Sequence, residues 1–171
     1  MRPTGRGSAA HSGGLQFVVD QIGELYGVEQ VVLRAEQDIA ARTTLTEFKN
    51  NLERIVTEDR QHVENLLQAL RMVLGSEGPA QLAIDRGRRR AEAILGASQD
   101  SAFNYVRALV LMVSDAALSG RILLQVQQRI DNQEIVTLLE TNHYQDEAHF
   151  RYFESQLGRA AEDLSGLPLG Q

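Results

Sequence analysis

Cysteine is absent from this chain. Its absence excludes disulfide frameworks, thiolate zinc sites and iron–sulfur clusters, because each of these needs cysteine sulfur. The chain also lacks an uninterrupted apolar run of about 18 residues, so the sequence predicts no membrane-spanning helix. Its N-terminus has none of the apolar core of a secretory signal peptide, and we therefore expect a cytoplasmic protein.

Positive charge is scarcer than negative charge, with 17 Lys and Arg residues against 23 Asp and Glu residues and a formal net charge of -6. This acidic balance argues against a nucleic-acid partner, which would favour a basic surface. The one basic cluster runs from Arg86 to Arg90. We interpret it as a solvated helix face.

The length of 171 residues allows one domain with a sizeable core. Residues 1–14 are rich in Gly, Ser and Arg and show no period, so we predict a disordered tail there and a second tail at residues 166–171. The domain is expected at residues 15–165. Apolar periodicity within it predicts long helices over residues 15–42, 45–73, 101–130 and 131–164.

Two short turns would join these four helices into two antiparallel hairpins, and a long crossover would connect the hairpins. This connectivity predicts an all-α four-helix bundle. The crossover contains an arginine-rich segment at residues 80–95, which we predict as a short helix outside the core. Gly23 and Gly27 each weaken the first helix by about 1 kcal/mol relative to Ala, so we expect tertiary packing or a close backbone approach there.

One face of the second predicted helix is apolar except at its middle. Nine residues recur at a spacing of three or four, which places them on one side of a helix. Seven are apolar, and the middle two are a carboxylate and an imidazole one turn apart. Because a buried charge needs a partner, an inward Asp-x-x-His pair is suited to hold a metal ion. The seam consists of Leu45, Phe48, Leu52, Ile55, Asp59, His62, Leu66, Ala69 and Val73.

The Asp-x-x-His pair recurs near the other end of the chain. Asp146 and His149 lie on the apolar seam of the last predicted helix. When the two segments are aligned on their histidines, Asp146 and His149 match Asp59 and His62, and three apolar positions match as well. This weak internal repeat predicts two helices that each direct an Asp and a His into the core.

Two further acids lie at the same depth as these pairs. The first predicted turn is midway along the chain between Glu29 and Asp59, and the second is midway between Asp115 and Asp146. Residues equally far from the turn of an antiparallel hairpin lie level, so each acid should meet the pair on the other arm. The face of the third long helix predicted to point inward is Asn104, Ala108, Leu111, Asp115, Leu118, Ile122 and Val126.

Together these residues form a candidate dinuclear metal site at the middle of the bundle. Iron and manganese accept such a set of carboxylate oxygens and imidazole nitrogens. Two ions can share bridging carboxylates while each keeps one histidine. The predicted metal ligands are Glu29, Asp59, His62, Asp115, Asp146 and His149.

With these residues in place, the sequence resembles the ferritin-like di-iron carboxylate superfamily, whose helices carry Glu, Glu-x-x-His, Glu and Glu-x-x-His in that order. It is most similar to bacterial stress-associated ferritin-like domains of uncertain function, through the segment from Glu24 to Gln30. The resemblance implies a ferritin-like bundle with two iron or manganese ions. It also implies an oxidoreductase that reacts with dioxygen or peroxide, in iron handling or the oxidative-stress response.

The sequence departs from that pattern at three of the four matching carboxylates, where Asp stands in place of Glu. Asp is one methylene shorter, so a neighbouring acid could take over as ligand. Glu58 could replace Asp59, and Glu147 could replace Asp146. Glu36 could supplement Glu29, since both lie on one seam of the first helix.

Other readings of these residues stay open. Glu140 and His143 also have Glu-x-x-His spacing, but they lie one position off the seam and we interpret them as solvated. The three histidines outside the N-terminal tail are too few for a hemerythrin-like oxygen carrier. The alternative function is a non-catalytic helical interaction or structural module, with the acids and histidines as a buried polar network. A bundle of this size could also form a homodimer through an apolar outer face.

Overall fold

The computed structural model of the chain describes residues 8–74, 80–98, 102–126, 130 and 132–164, with side chains described from residue 14 to residue 159 within most of these ranges. In this part of the chain all regular structure is helical, which confirms the all-α class, and no strand is present. The helices are α1 (Ser8–Arg42), α2 (Thr46–Leu74), α3 (Gln81–Gly96), α4 (Ala102–Val126) and α5 (Gln133–Leu164).

The helix boundaries agree with the periodicity except at the N-terminus. The first helix begins at Ser8 and not near residue 15, so part of the expected tail is helical. The rest of that tail and the expected tail at residues 166–171 lie outside the described residues. At the start of α5, Asn132 Oδ1 accepts hydrogen bonds from the backbone N–H groups of Glu134 at 3.0 Å and Ile135 at 3.3 Å. Asn132 is therefore the N-cap of α5.

The helices surround one apolar core. α1 packs against α2, α3 and α4, and α5 packs against α4 and α2. Full burial of each large apolar side chain contributes about 1.5–3 kcal/mol. The largest buried side chains are Ile22, Ile39, Leu52, Ile55, Leu66, Leu70, Ile84, Leu109, Met112, Leu123, Ile135 and Phe153.

The short helix α3 packs directly on α1, which corrects the expectation that it lies outside the core. A Cβ atom at Gly27 would overlap the carbonyl oxygen of Ile84, and one at Gly87 would overlap the carbonyl oxygen of Glu24. The two backbones therefore touch, and only glycine fits at the crossing. The expected close approach at Gly27 is confirmed, and α3 buries Ile84 within the core.

The arginines of α3 tie this helix to its neighbours. Arg86 binds Glu24 of α1 at 3.0 Å, and Arg90 binds Asp115 of α4 at 2.8 Å. Their side chains are 48% and 44% exposed, as expected for a solvated face. Arg86 and Arg90 are therefore partly solvated and also paired with acids of the same chain.

The face of α4 that points inward differs from the predicted face by one residue, or about 100° of rotation. Leu111 and Leu118 are 50% and 54% exposed, and Ile122 is also exposed. Almost every side of α4 is apolar, so periodicity alone could not fix its orientation. The buried face is Tyr105, Leu109, Met112, Ala116 and Leu123.

By length and composition alone, residues 104–126 of α4 could cross a membrane, although charged residues interrupt the apolar sequence. Core helices of soluble proteins also pass this test. Here α4 packs against α1 and α5, and its inner face forms part of the core.

Candidate metal centre

The two repeated Asp-x-x-His pairs meet at the interface of α2 and α5. Asp59, His62, Asp146 and His149 are each at most 3% exposed. One potential ligand atom from each lies within 4.8 Å of those from the other three. These four residues could therefore hold a metal ion together, as the repeat predicted.

The contacts inside this cluster are short but are not directed as hydrogen bonds. His62 Nδ1 lies 3.1 Å from Asp59 Oδ1 and 3.0 Å from Asp146 Oδ1, and His149 Nδ1 lies 2.9 Å from Asp59 Oδ1. Neither His62 Nδ1 nor Asp59 Oδ1 has a hydrogen-bond partner. Neighbouring ligands of an octahedral ion with bonds of about 2.1 Å lie about 3.0 Å apart. The atoms thus have the spacing of ligands that share a cation.

Each histidine is oriented by a side chain from the opposite helix. His62 Nε2 lies 2.7 Å from Gln145 Oε1, and His149 Nε2 lies 2.7 Å from Glu58 Oε2. Because both partners accept through oxygen, both Nε2 atoms carry the proton, and this assigns the tautomer. Both Nδ1 atoms then face the aspartates, where each can carry a second proton or bind a cation, as in metal sites whose ligands are fixed by outer hydrogen bonds.

Two asparagines fix the register of α2 and α5 beside the cluster. Asn65 Nδ2 donates to Asn142 Oδ1 at 2.8 Å, and Asn142 Nδ2 donates to the carbonyl oxygen of His62 at 3.0 Å. Both side chains are buried and hydrogen-bonded, which stabilises one pairing of the helices. The sequence signal was Asn142 on the apolar seam of α5.

Helix α1 carries two further buried carboxylates. Glu29 and Glu36 are 1% and 0% exposed, and Glu29 Oε1 and both carboxylate oxygens of Glu36 lack hydrogen-bond partners. Burial raises the pKa of both carboxyl groups well above the usual value, and the neighbouring acids Asp59 and Asp146 raise it further. The electrostatic effects of Asp59 and Asp146 indicate that Glu29 and the alternative ligand Glu36 are buried close to the cluster.

The structure does not bring Asp115 to the cluster, which corrects the expectation for this residue. Its side chain is 34% exposed and forms an ion pair with Arg90 of α3. The rotation of α4 by one residue accounts for the difference. Within the described residues, α4 contributes no carboxylate to the buried group, whereas Glu36 of α1 is fully buried.

The other alternative ligands have separate roles. Glu58 contacts the outer nitrogen of His149, so it orients a ligand. Glu147 faces away from the cluster, where it pairs with Arg121 and, at 3.4 Å, with Arg151. His143 is 5% exposed, so the expectation that it is solvated is wrong.

The buried charges of the cluster balance only when cations or protons are present. Burial by itself would lower the pKa of His62, but the carboxylates of Asp146 and Asp59 raise it to about 11. Burial raises the pKa of Asp146, whereas contacts with His149 and His62 hold the pKa of Asp59 below its usual value despite burial. Metal-free protein therefore holds protons at the positions where divalent ions would bind.

In comparisons with protein-family models, curated proteins and solved structures, no match to this chain was found. The function is therefore inferred from the chemistry of the site.

Proposed function

We propose that this chain is a ferritin-like carboxylate protein with a dinuclear iron or manganese centre. One observation carries the proposal: buried carboxylate and imidazole atoms converge to about 3 Å without hydrogen-bond geometry. In a core without cations such atoms would be unpaired, which is costly. The proposed ligands are Glu29, Glu36, Asp59, His62, Asp146 and His149.

The charge of this ligand set supports two divalent ions. Two glutamates and two aspartates carry four negative charges when deprotonated, and two divalent ions would neutralise them. Iron and manganese suit carboxylate and imidazole ligands. Glu36 would take the place of the carboxylate that the resemblance assigns to Asp115, so α1 would supply two ligands and α4 none.

The arrangement of the helices supports the ferritin-like part of the proposal. α1 pairs with α2, α2 with α5, α5 with α4 and α4 with α1. Such a closed ring of pairs is expected for a four-helix bundle whose metal ligands project inward. In this reading α3 belongs to the crossover and packs against α1, with Ile84 buried in the core.

Bound iron or manganese would supply one-electron redox chemistry toward dioxygen or peroxide. The residues of the chain would bind and orient the ions and exclude water. Ile55 and Leu66, one turn on either side of the α2 pair, are fully buried, and Phe153 is 2% exposed one turn after His149. This dry surrounding strengthens the electrostatic effect of the ligands. An iron-handling or oxidative-stress role would use a site of this kind.

A second candidate is a structural module in which the same residues form a buried polar network. The ion-pair distances of 2.9–3.1 Å between the histidines and aspartates favour it, since protonated histidines could neutralise both aspartates without metal. This candidate assigns the cluster to stability alone.

Metal analysis of the full chain, produced with iron or manganese and freed of loosely bound ions, distinguishes the two. The dinuclear proposal expects about two ions per chain, and double replacement of His62 and His149 with Ala should abolish binding. His143→Ala is the matched control, because it removes a buried histidine of α5 outside the proposed ligand set. Wild-type protein without bound metal would leave the polar network as the function of the cluster.

A further inference from the structure

The two histidines of the cluster differ in what holds their outer nitrogen. His62 donates from Nε2 to the neutral amide oxygen of Gln145, whereas His149 donates from Nε2 to the carboxylate of Glu58. Both distances are 2.7 Å. Glu58 and Gln145 occupy equivalent places in the internal repeat, each directly before its aspartate. The two outer contacts therefore match in length and differ in the charge of the acceptor.

We propose that Glu58 is a positioning residue that makes the two metal positions unequal, so that the position at His149 binds its ion more tightly than the position at His62. This inference rests on the proposed dinuclear function. A carboxylate that accepts a hydrogen bond from a ligating imidazole increases the basicity of the ring more than a neutral amide does. Partners in this outer layer change metal affinity by about 10–100-fold.

The surroundings of Glu58 keep it in this outer role. Oε2 accepts from the outer nitrogen of His149 and Oε1 accepts from Arg54, so both carboxylate oxygens already have hydrogen-bond partners. The side chain is 27% exposed, whereas that of His149 is 4% exposed. Glu58 thus lies at the boundary between solvent and the buried ligands, and it acts on an ion only through His149.

The matched position on α5 has no charge. Gln145 holds the ring of His62 at the same distance as Glu58 holds the ring of His149, since both contacts are 2.7 Å long. If the outer residues only hold the rings, replacing Glu58 with Gln should leave both affinities unchanged. If the charge of Glu58 matters, exchanging Glu58 and Gln145 should exchange which metal position binds more tightly.

The test is titration of metal-free full-length protein with Co²⁺, followed by the visible absorption of the bound ion and by calorimetry. Wild-type protein should bind in two steps whose affinities differ about tenfold or more. His149→Ala should remove the tighter step, and His62→Ala should remove the weaker one.

Three variants isolate the charge. Glu58→Gln keeps an acceptor oxygen, so it should weaken the tighter step about tenfold while leaving the number of ions unchanged. Gln145→Glu should tighten the weaker step. The double exchange should restore two separate steps in reversed order, so that adding His62→Ala now removes the tighter one. Circular dichroism shows whether each variant is folded. If Glu58→Gln does not fold, Gln145→Glu still tests the inference.

Different results would overturn this inference and the proposed function. Two equal steps in wild-type protein, or Glu58→Gln with both affinities unchanged, would overturn the inference while leaving the proposed function in place. Loss of one ion in Glu58→Gln would also overturn it, because Glu58 would then be a direct ligand. Absence of Co²⁺, Mn²⁺ and Fe²⁺ binding in wild-type protein would overturn the proposed function itself and this inference with it.

Discussion

The imidazole rings of His62 and His149 face each other across α2 and α5, with centroids 5.6 Å apart and planes 19° from parallel. This confirms that the two repeated pairs direct their histidines at each other. Two protonated rings at this distance repel: burial and nearby His62 oppose protonation of His149, although its contacts with Asp59 and Glu58 raise its pKa overall. Divalent ions would remove the need for both protons. The paired rings therefore link the stability of the protein to metal and to pH.

The first prediction separates Glu36 from Asp115 as a ligand. Glu36→Gln should weaken metal binding at least about 10–100-fold. Losing an outer residue that orients a ligand has an effect of this size, and losing a ligand itself should cost at least as much. Asp115→Asn should leave binding unchanged and cost at most about 1 kcal/mol, because its ion pair with Arg90 is partly exposed. Calorimetric titration with Mn²⁺ measures both. The opposite ranking would restore the ligand set expected from sequence.

The second prediction concerns pH. The pKa of His62 is raised from 6.5 to about 11 in the folded chain, so its contribution is complete below pH 6.5 and is lost as pH rises toward 11. The raised pKa values of Glu29 and Glu36 act with the same sign, since their contribution is also lost as pH rises. The free energy of unfolding of metal-free protein should therefore fall as pH rises above 6.5.

The metal-loaded form should behave differently over the same range. Protons compete with metal for the ligands, so the stabilisation by metal should grow as pH rises. The difference in melting temperature between Mn²⁺-loaded and chelator-treated protein should widen between about pH 6.5 and pH 9. A constant difference, with His62→Ala showing the same pH profile as wild type, would contradict this.

The third prediction tests the contact between α1 and α3. Gly27→Ala or Gly87→Ala should destabilise the protein by about 1–3 kcal/mol or more, because the added methyl group meets rigid backbone. Gly158→Ala is the control: it lies within α5 with no atom within 4 Å of the added group. The control should gain up to about 1 kcal/mol from helix propensity. Urea unfolding measures all three, and equal effects would argue against the tight crossing.

The fourth prediction tests the rotation of α4. Leu109 is fully buried, so Leu109→Ala should cost about 2–5 kcal/mol. Leu118 is 54% exposed, so Leu118→Ala should change stability by at most about 0.5 kcal/mol. Urea unfolding of the two variants gives the ranking directly. A larger loss for Leu118 would favour the inward face predicted from the sequence pattern.

The pattern of α2 predicted its inward face well because charged residues leave only one apolar side. The same seam carried Asp59 and His62 into the core, and the repeat then located their counterparts on α5. Helix α4 offered no such contrast, since Leu111 and Leu118 on its outer side are as apolar as its inner residues. The orientation of Asp115 therefore depended on tertiary packing that periodicity does not report.

The sequence indicated Glu36, Glu58 and Gln145 less clearly than it indicated the two Asp-x-x-His pairs. Glu36 follows Glu29 by two helical turns on one seam, so both acids could be expected inside. Glu58 and Gln145 precede the two aspartates at matching places of the repeat. Their contacts with the opposite histidines required the antiparallel register of α2 and α5. That register depends on long-range contacts such as Asn65 with Asn142.

The most direct measurement is anomalous X-ray diffraction from crystals of the full chain loaded with Mn²⁺ or Fe²⁺. We expect two anomalous peaks among α1, α2 and α5, one beside His62 Nδ1 and one beside His149 Nδ1, with Asp59 between them and no peak at Asp115. Crystals with saturating metal that show no anomalous peak in the cluster, and with both Nδ1 atoms bonded directly to aspartate oxygens, would contradict it.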